Sequence, residues 1–229
     1  MTFSVMTLFP EMIRSAVGQS ITGRAIQNEI ITVNCYNIRD YSQDKHRRVD
    51  DYPYGGGPGM VMQCQPVYDC FCDIVKGKAV RPHTIYMSPK GKVLTQSRAL
   101  ELSKLDELII LCGHYEGVDQ RVLDEIVDEQ ISIGDYVITG GELAACVLID
   151  CVARMVDGVL SGPDAFENES HFNGLLEHPQ YTRPEVWHNK QVPQVLIGGN
   201  HKLIEQWKRK ESIEQTLKYR PDLLKKQQG

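Results

Sequence analysis

Four glycines fall within five positions in Val49-Asp50-Asp51-Tyr52-Pro53-Tyr54-Gly55-Gly56-Gly57-Pro58-Gly59-Met60. Glycine lets the backbone take positive φ and lets another molecule come close to main-chain amides. No Gly-Lys-Ser/Thr follows, so this is not a phosphate-cradling P-loop. Its flanks carry Asp50, Asp51, Tyr52, Tyr54 and the run Lys45-His46-Arg47-Arg48, groups able to stack on, hydrogen-bond to and ion-pair with RNA. A flexible turn would hold the same glycines; the flanks favour a ligand. A second segment, Leu111-Cys112-Gly113-His114-Tyr115-Glu116-Gly117-Val118-Asp119-Gln120-Arg121, follows an apolar run and precedes a helical pattern. The carboxyl ends of strands in α/β proteins are where ligands bind, although Glu116 and Asp119 also suit the first turn of a helix. The third, Ser132-Ile133-Gly134-Asp135-Tyr136-Val137-Ile138-Thr139-Gly140-Gly141-Glu142, again places glycines ahead of a helix and suits a flat ligand held through main-chain contacts. A tight turn is the plainer reading of it.

The elements that would position these segments follow from hydrophobic patterning. Strands are expected at residues 3–8, 30–38, 84–87 and 108–112, and helices at 97–105 and 118–126, an alternation that implies an α/β fold with a largely parallel sheet. Residues 142–155 form a further helix, with Leu143, Val147, Leu148, Cys151, Val152 and Met155 expected on one apolar face. Leu8-Phe9-Pro10-Glu11 stands where a dinucleotide-binding protein has its glycine fingerprint, so a Rossmann site is disfavoured. Periodicity dissolves over 161–194, longer than the about 12–15 residues usual for a structureless loop, so this stretch is read as a functional linker. A helix then runs from Asn200, its expected N-cap, to Tyr219, stopped by Arg220-Pro221. The division is 1–160, an α/β domain; 161–194, a linker; and 195–229, a helical C-terminal domain.

Composition narrows the classes. With 41% hydrophobic and 24% charged residues the chain is globular, and it has no apolar run able to span a bilayer, so it is read as soluble and cytoplasmic. Its seven cysteines are an odd number without a C-x-x-C pair, which favours free thiols over zinc or disulfides. A net charge of −5 argues against a broad nucleic-acid-coating surface. The cations are nevertheless clustered at residues 46–48, 208–210, 218–220 and 225–226, which suits a selective RNA contact as well as an ordinary solvated helix face.

Five runs, DDYPYGGGPGM, CGHYEGVDQR, SIGDYVITGGEL, GLLEHPQYTRP and VPQVLIGGNHKLIEQWKRKES, in this order, resemble the TrmD family of bacterial tRNA (guanine-N1)-methyltransferases, of the SPOUT class. The resemblance implies S-adenosylmethionine-dependent methylation of N1 of guanosine 37 in tRNA, beside the anticodon. It implies a parallel sheet whose C-terminal part threads a deep trefoil knot, a small helical C-terminal domain and a homodimer whose active sites draw on both chains. The donor would lie between Tyr86, Met87, Ser88 and Pro89, then Gly113, Tyr115, Glu116 and Gly117, then Ile133, Gly134, Tyr136, Ile138, Gly140 and Gly141. Gly59 and Asp50 would meet the target guanine and its guanine neighbour, and cations around Trp207 the anticodon stem; Trp207 could equally be core of the small domain.

Guanine N1 carries a proton at neutral pH, so a base must remove it as the methyl arrives. The family's base is an aspartate five positions before the glycine of GLL; here that position is Glu169, a longer carboxylate, with Asp164 and Glu167 as nearby competitors. Arg154 matches the family's catalytic arginine and would stabilise charge on guanine O6, or pair with Asp150 on its own helix. Magnesium dependence is also implied, with Glu116 and Glu169 as possible oxygen ligands and no ligand spacing to identify a site. The glutamate at 169 prompts one rival, a non-catalytic SPOUT RNA-binding protein; another is a SPOUT enzyme methylating ribose 2′-hydroxyls, whose chemistry needs no carboxylate base for guanine.

Overall fold

A computed structural model describes residues 1–162, 166 and 169–225; Asp164, Glu167 and Lys226 lie outside the described residues. The chain divides into two compact units, Met1–Leu160 and Ser161–Gly229.

The first unit is built on a five-stranded parallel sheet. Its strands are β1 (Thr2–Thr7), β2 (Thr32–Asn37), β5 (His83–Val93), β6 (Glu107–Cys112) and β7 (Glu129–Ser132), in the order β2-β1-β6-β5-β7. A two-residue ribbon, β3 (Asp50–Asp51) against β4 (Val61–Met62), stands apart. Around them lie α1 (Pro10–Val17), α2 (Ser20–Gln27), α3 (Cys64–Val75), α4 (Gln96–Leu102), α5 (Gln120–Ile126) and α6 (Glu142–Ala153). Alternation along β6 sends Leu108, Ile110 and Cys112 into one core layer, with α1, α2, α4 and α6, and Ile109 and Leu111 into the other, with α3 and α5. Both faces of the sheet are thus covered, as parallel sheets require.

Several elements differ from what patterning suggests. The helix α1, which patterning did not announce, opens on Pro10, where its missing N–H costs nothing. β7 has the short polar sequence EQIS, so alternation could not announce it. On α6 the covered residues are Ala145, Leu148, Ile149 and Val152, whereas Leu143 and Val147, expected on the inward face, are 51% and 42% exposed. The helix is apolar nearly all round, so periodicity could not select the packed side. Although α6 follows the edge strand β7, it packs back over β1 and β6 at the sheet centre, beside α1 and α4.

The second unit holds the hairpin β8 (Val186–Trp187) and β9 (Lys190–Gln191), then α7 (Gln194–Ile197), α8 (His201–Tyr219) and α9 (Pro221–Lys225). His188 and Asn189 both take positive φ, as tight two-residue hairpin turns demand. The Asn200 side chain accepts from Leu203 N at 3.3 Å and caps α8. Thr216, buried on α8, donates to Ser212 O and accepts from Leu176 N at 2.8 Å, fixing an irregular segment to the helix. Trp207 is half-buried against the rings of His178 and Tyr181.

Candidate active site

Three turns, one within β5 and two at the carboxyl ends of β6 and β7, enclose a cleft of about 280 Å³. The first arises inside β5. Met87 and Lys92 both pair with Ile131, so Ser88-Pro89-Lys90-Gly91 must loop out of the ladder between them. Ser88 Oγ accepts from Lys90 N at 3.2 Å and Pro89 offers no N–H to the sheet.

The second turn leaves β6 at Gly113. A Cβ there would sit 2.7 Å from the buried Tyr86 hydroxyl, so glycine at 113 leaves room for the Tyr86 ring. Burial raises the Tyr86 phenol above its ordinary pKa and keeps it neutral. Tyr115 takes φ +59, uncommon for a residue with a side chain. The main chain holds it there: Glu116 N donates to Met60 O at 2.9 Å and Gly117 N to His114 O at 3.1 Å. Asp119 ends the turn by capping α5 through Arg121 N, and the Arg121 guanidinium holds its carboxyl well below the usual range.

The third turn follows β7. Gly134 takes φ +149 with its amide on Ser132 Oγ at 3.1 Å, and the Tyr136 hydroxyl donates to Ile133 O at 3.3 Å. Gly141 N donates to Gly113 O at 2.8 Å, joining the third turn to the second. All fourteen donor-site residues expected from sequence line this one cleft.

Beside it lies the β3–β4 ribbon. Met62 N donates to Gly117 O and Asp119 N to Met62 O, at 2.9 and 3.0 Å, stitching the ribbon to the second turn. Asp50 sits on β3, and Gly59, at φ +85, faces Glu116, whose Oε1 would be 2.5 Å from a Cβ at 59. Gly59 thus adjoins a residue of the cleft wall. Tyr52 and Tyr54 are largely exposed between them. Nearby, Arg48 pairs with Asp44 and Arg47 with Asp40, both at 3.1 Å, so this basic patch is partly neutralised within the fold.

Arg154 is not in the cleft wall. It closes α6 at the end opposite Gly141, about 20 Å away at the helical rise. Glu169 lies in the second unit, where its N–H donates to Phe166 O at 3.1 Å. Among the described residues, no three or more His, Cys, Asp or Glu side chains come together as a metal site. His114 lines the cleft and Glu142 is buried beside Gly140 of its wall; neither was a site residue expected from sequence, and no local motif marks either one.

The sequence matches the family described as tRNA (Guanine-1)-methyltransferase TrmD over residues 1–226. The chain belongs to this family. A protein of Ruminiclostridium cellulolyticum named tRNA (guanine-N(1)-)-methyltransferase is 59% identical, with 99% of this chain and 97% of the relative covered. Relatives of the same name from Alkaliphilus oremlandii and Clostridioides difficile are 56% and 52% identical, over 98% and 99% of this chain and 92% and 98% of their own lengths. All seven cysteines are free, and among the described residues no helix is long and apolar enough to cross a membrane.

Proposed function

We propose that the chain transfers the methyl of S-adenosylmethionine to N1 of guanosine 37 in tRNA. The observation that carries this reading is the convergence of three glycine-bearing turns on one cleft, in a chain that matches tRNA (guanine-N(1)-)-methyltransferases over nearly its whole length. Gly113, Gly134 and Gly141 let main-chain amides and carbonyls meet the donor's flat adenosine, with Tyr86 and Ile138 as apolar walls. The donor carries its methyl on a sulfonium sulfur. Asp50 and Gly59, on the ribbon stitched to the second turn, suit the incoming guanine.

Glu169 takes the N1 proton as the N1–methyl bond forms, and the carbon–sulfur electron pair stays with the sulfur of the leaving S-adenosylhomocysteine. Arg154 stabilises the charge that spreads onto guanine O6. Its distance from the cleft of its own chain favours a homodimer in which a second copy completes each site. The exposed Leu143 and Val147 on α6, with Met12 on the neighbouring α1 and Phe9 just before it, offer an apolar face for that contact. The return of α6 from the sheet edge to its centre suits the deep trefoil knot. Residues 161–194 act as the linker bearing the acid, and 195–229 as the helical tRNA-binding part. Glu116 and Glu169 have the hard oxygen ligands that magnesium would take, one or two carboxylates being its usual protein share.

Incubation with unmodified tRNA and methyl-labelled donor, then nuclease digestion and mass spectrometry, tests the reading. It predicts 1-methylguanosine at position 37; a 2′-O-methyl nucleoside, or no transfer, overturns it.

A further inference from the structure

Glu142 is 2% exposed, an unusual place for a carboxylate, and lies at the start of α6 directly behind the third turn. Its Oε1 accepts from Thr7 Oγ1 at 2.8 Å, and Thr7 Oγ1 accepts from Phe9 N at 2.9 Å, so one oxygen is anchored to the end of β1. The other, Oε2, would be 2.5 Å from a Cβ on Gly140. At 2.6 Å from the same point is His114 Nδ1, which is buried without a hydrogen-bond partner. Oε2 and Nδ1 therefore lie no more than about 5 Å apart, across a space that exists because residue 140 has no side chain.

An unpaired buried ring nitrogen costs free energy, and a buried carboxylate with acceptor capacity left is its natural partner. Because Nδ1 is buried, it points into the protein and not at a molecule in the cleft. The His114 ring is fixed by Phe9 and Tyr115, with centroids 5.2 and 5.0 Å away.

We propose that His114 and Glu142 are positioning residues for the methyl-donor cleft: His114 Nδ1–H donates to Glu142 Oε2, directly or through one water, and locks the second turn to the third. The main chain already joins these turns at Gly141 N to Gly113 O. The side-chain bridge adds a second tie on the other side of Gly140 and, through Thr7, fastens both turns to β1. Two ties fix the spacing of the cleft walls where one would leave a hinge. The bridge holds an ordered cleft before the donor arrives, which raises affinity by removing the ordering cost of binding.

This inference rests on the reading of the cleft as the donor site. Calorimetric titration of the full-length protein with S-adenosylhomocysteine separates the two: no binding by the unsubstituted protein fails the donor-site reading, whereas binding equal in the variants fails only this one. His114→Phe keeps a ring and removes the donor; His114→Asn keeps an N–H near the Nδ1 position. The expected result is a Kd about tenfold or more higher for His114→Phe and largely restored for His114→Asn, with KM for tRNA unchanged. Glu142→Gln, which keeps an acceptor, should lose less than Glu142→Leu, and His114→Phe should have little further effect in the Glu142→Leu background. Wild-type affinity in His114→Phe overturns the proposal, as does equal weakening by Phe and Asn or full additivity of the two substitutions. If Glu142→Leu fails to fold, the Phe against Asn comparison decides alone.

Discussion

Glu169, the proposed base for guanine N1, carries its carboxylate on an arm one methylene longer than the aspartate its family position implies. Amide substitution keeps its shape and removes its basicity. Glu169→Gln should lower single-turnover methyl transfer by about 10²–10⁴-fold with S-adenosylhomocysteine affinity unchanged, while Glu169→Asp retains substantial activity. Equal rates in all three would take Glu169 out of the chemistry. Gly59 allows a second test at this scale. A methyl there would meet Glu116 Oε1 at 2.5 Å on a backbone at φ +85, so Gly59→Ala should raise KM for tRNA more than for the donor in steady-state assays. The turn residues that line the cleft were legible in the sequence because glycine-bearing motifs mark them. His114 and Glu142 were not, because a buried pair 28 positions apart has no local signature.

At the scale of elements, patterning recovered the strands whose apolar runs are unbroken and missed β7, whose four residues include Glu129 and Gln130. It could not foresee the loop inside β5 either, since this arises from the register of a neighbouring strand. For α6, periodicity chose Leu143 and Val147 as inward, whereas the small Ala145 and the branched Ile149 lie against the sheet. The exposed pair carries a prediction. On the proposed homodimer, Leu143→Glu with Val147→Glu should leave a monomer in analytical ultracentrifugation and abolish methyl transfer, while far-UV circular dichroism stays unchanged. A fully active monomer would refute a site shared between chains. On the covered side of the same helix, Leu148→Ala leaves a cavity in a layer with no solvent access. It should cost about 2–5 kcal/mol in denaturant unfolding, without changing which product forms.

For the whole molecule, the net charge of −5 argues against strong nonspecific RNA binding, and the ion pairs of Arg47 and Arg48 with Asp40 and Asp44 bear on the same point. On α8, Lys208 and Lys210 are likewise near Glu205 and Glu214. Affinity for tRNA should then fall only modestly between low and physiological salt in filter-binding assays, with a slope corresponding to few phosphate contacts. A steep slope would show an extended basic surface. The α/β class and the parallel sheet could be read from alternating apolar runs. The proposed knot could not, because threading is a property of chain path that neither composition nor periodicity records. The measurement that bears most directly on the account is a crystal structure of the protein with S-adenosylhomocysteine. The nucleoside should lie between Tyr86, the Gly113–Gly117 turn and the Ile133–Gly141 turn; an empty cleft with the product bound elsewhere would contradict it.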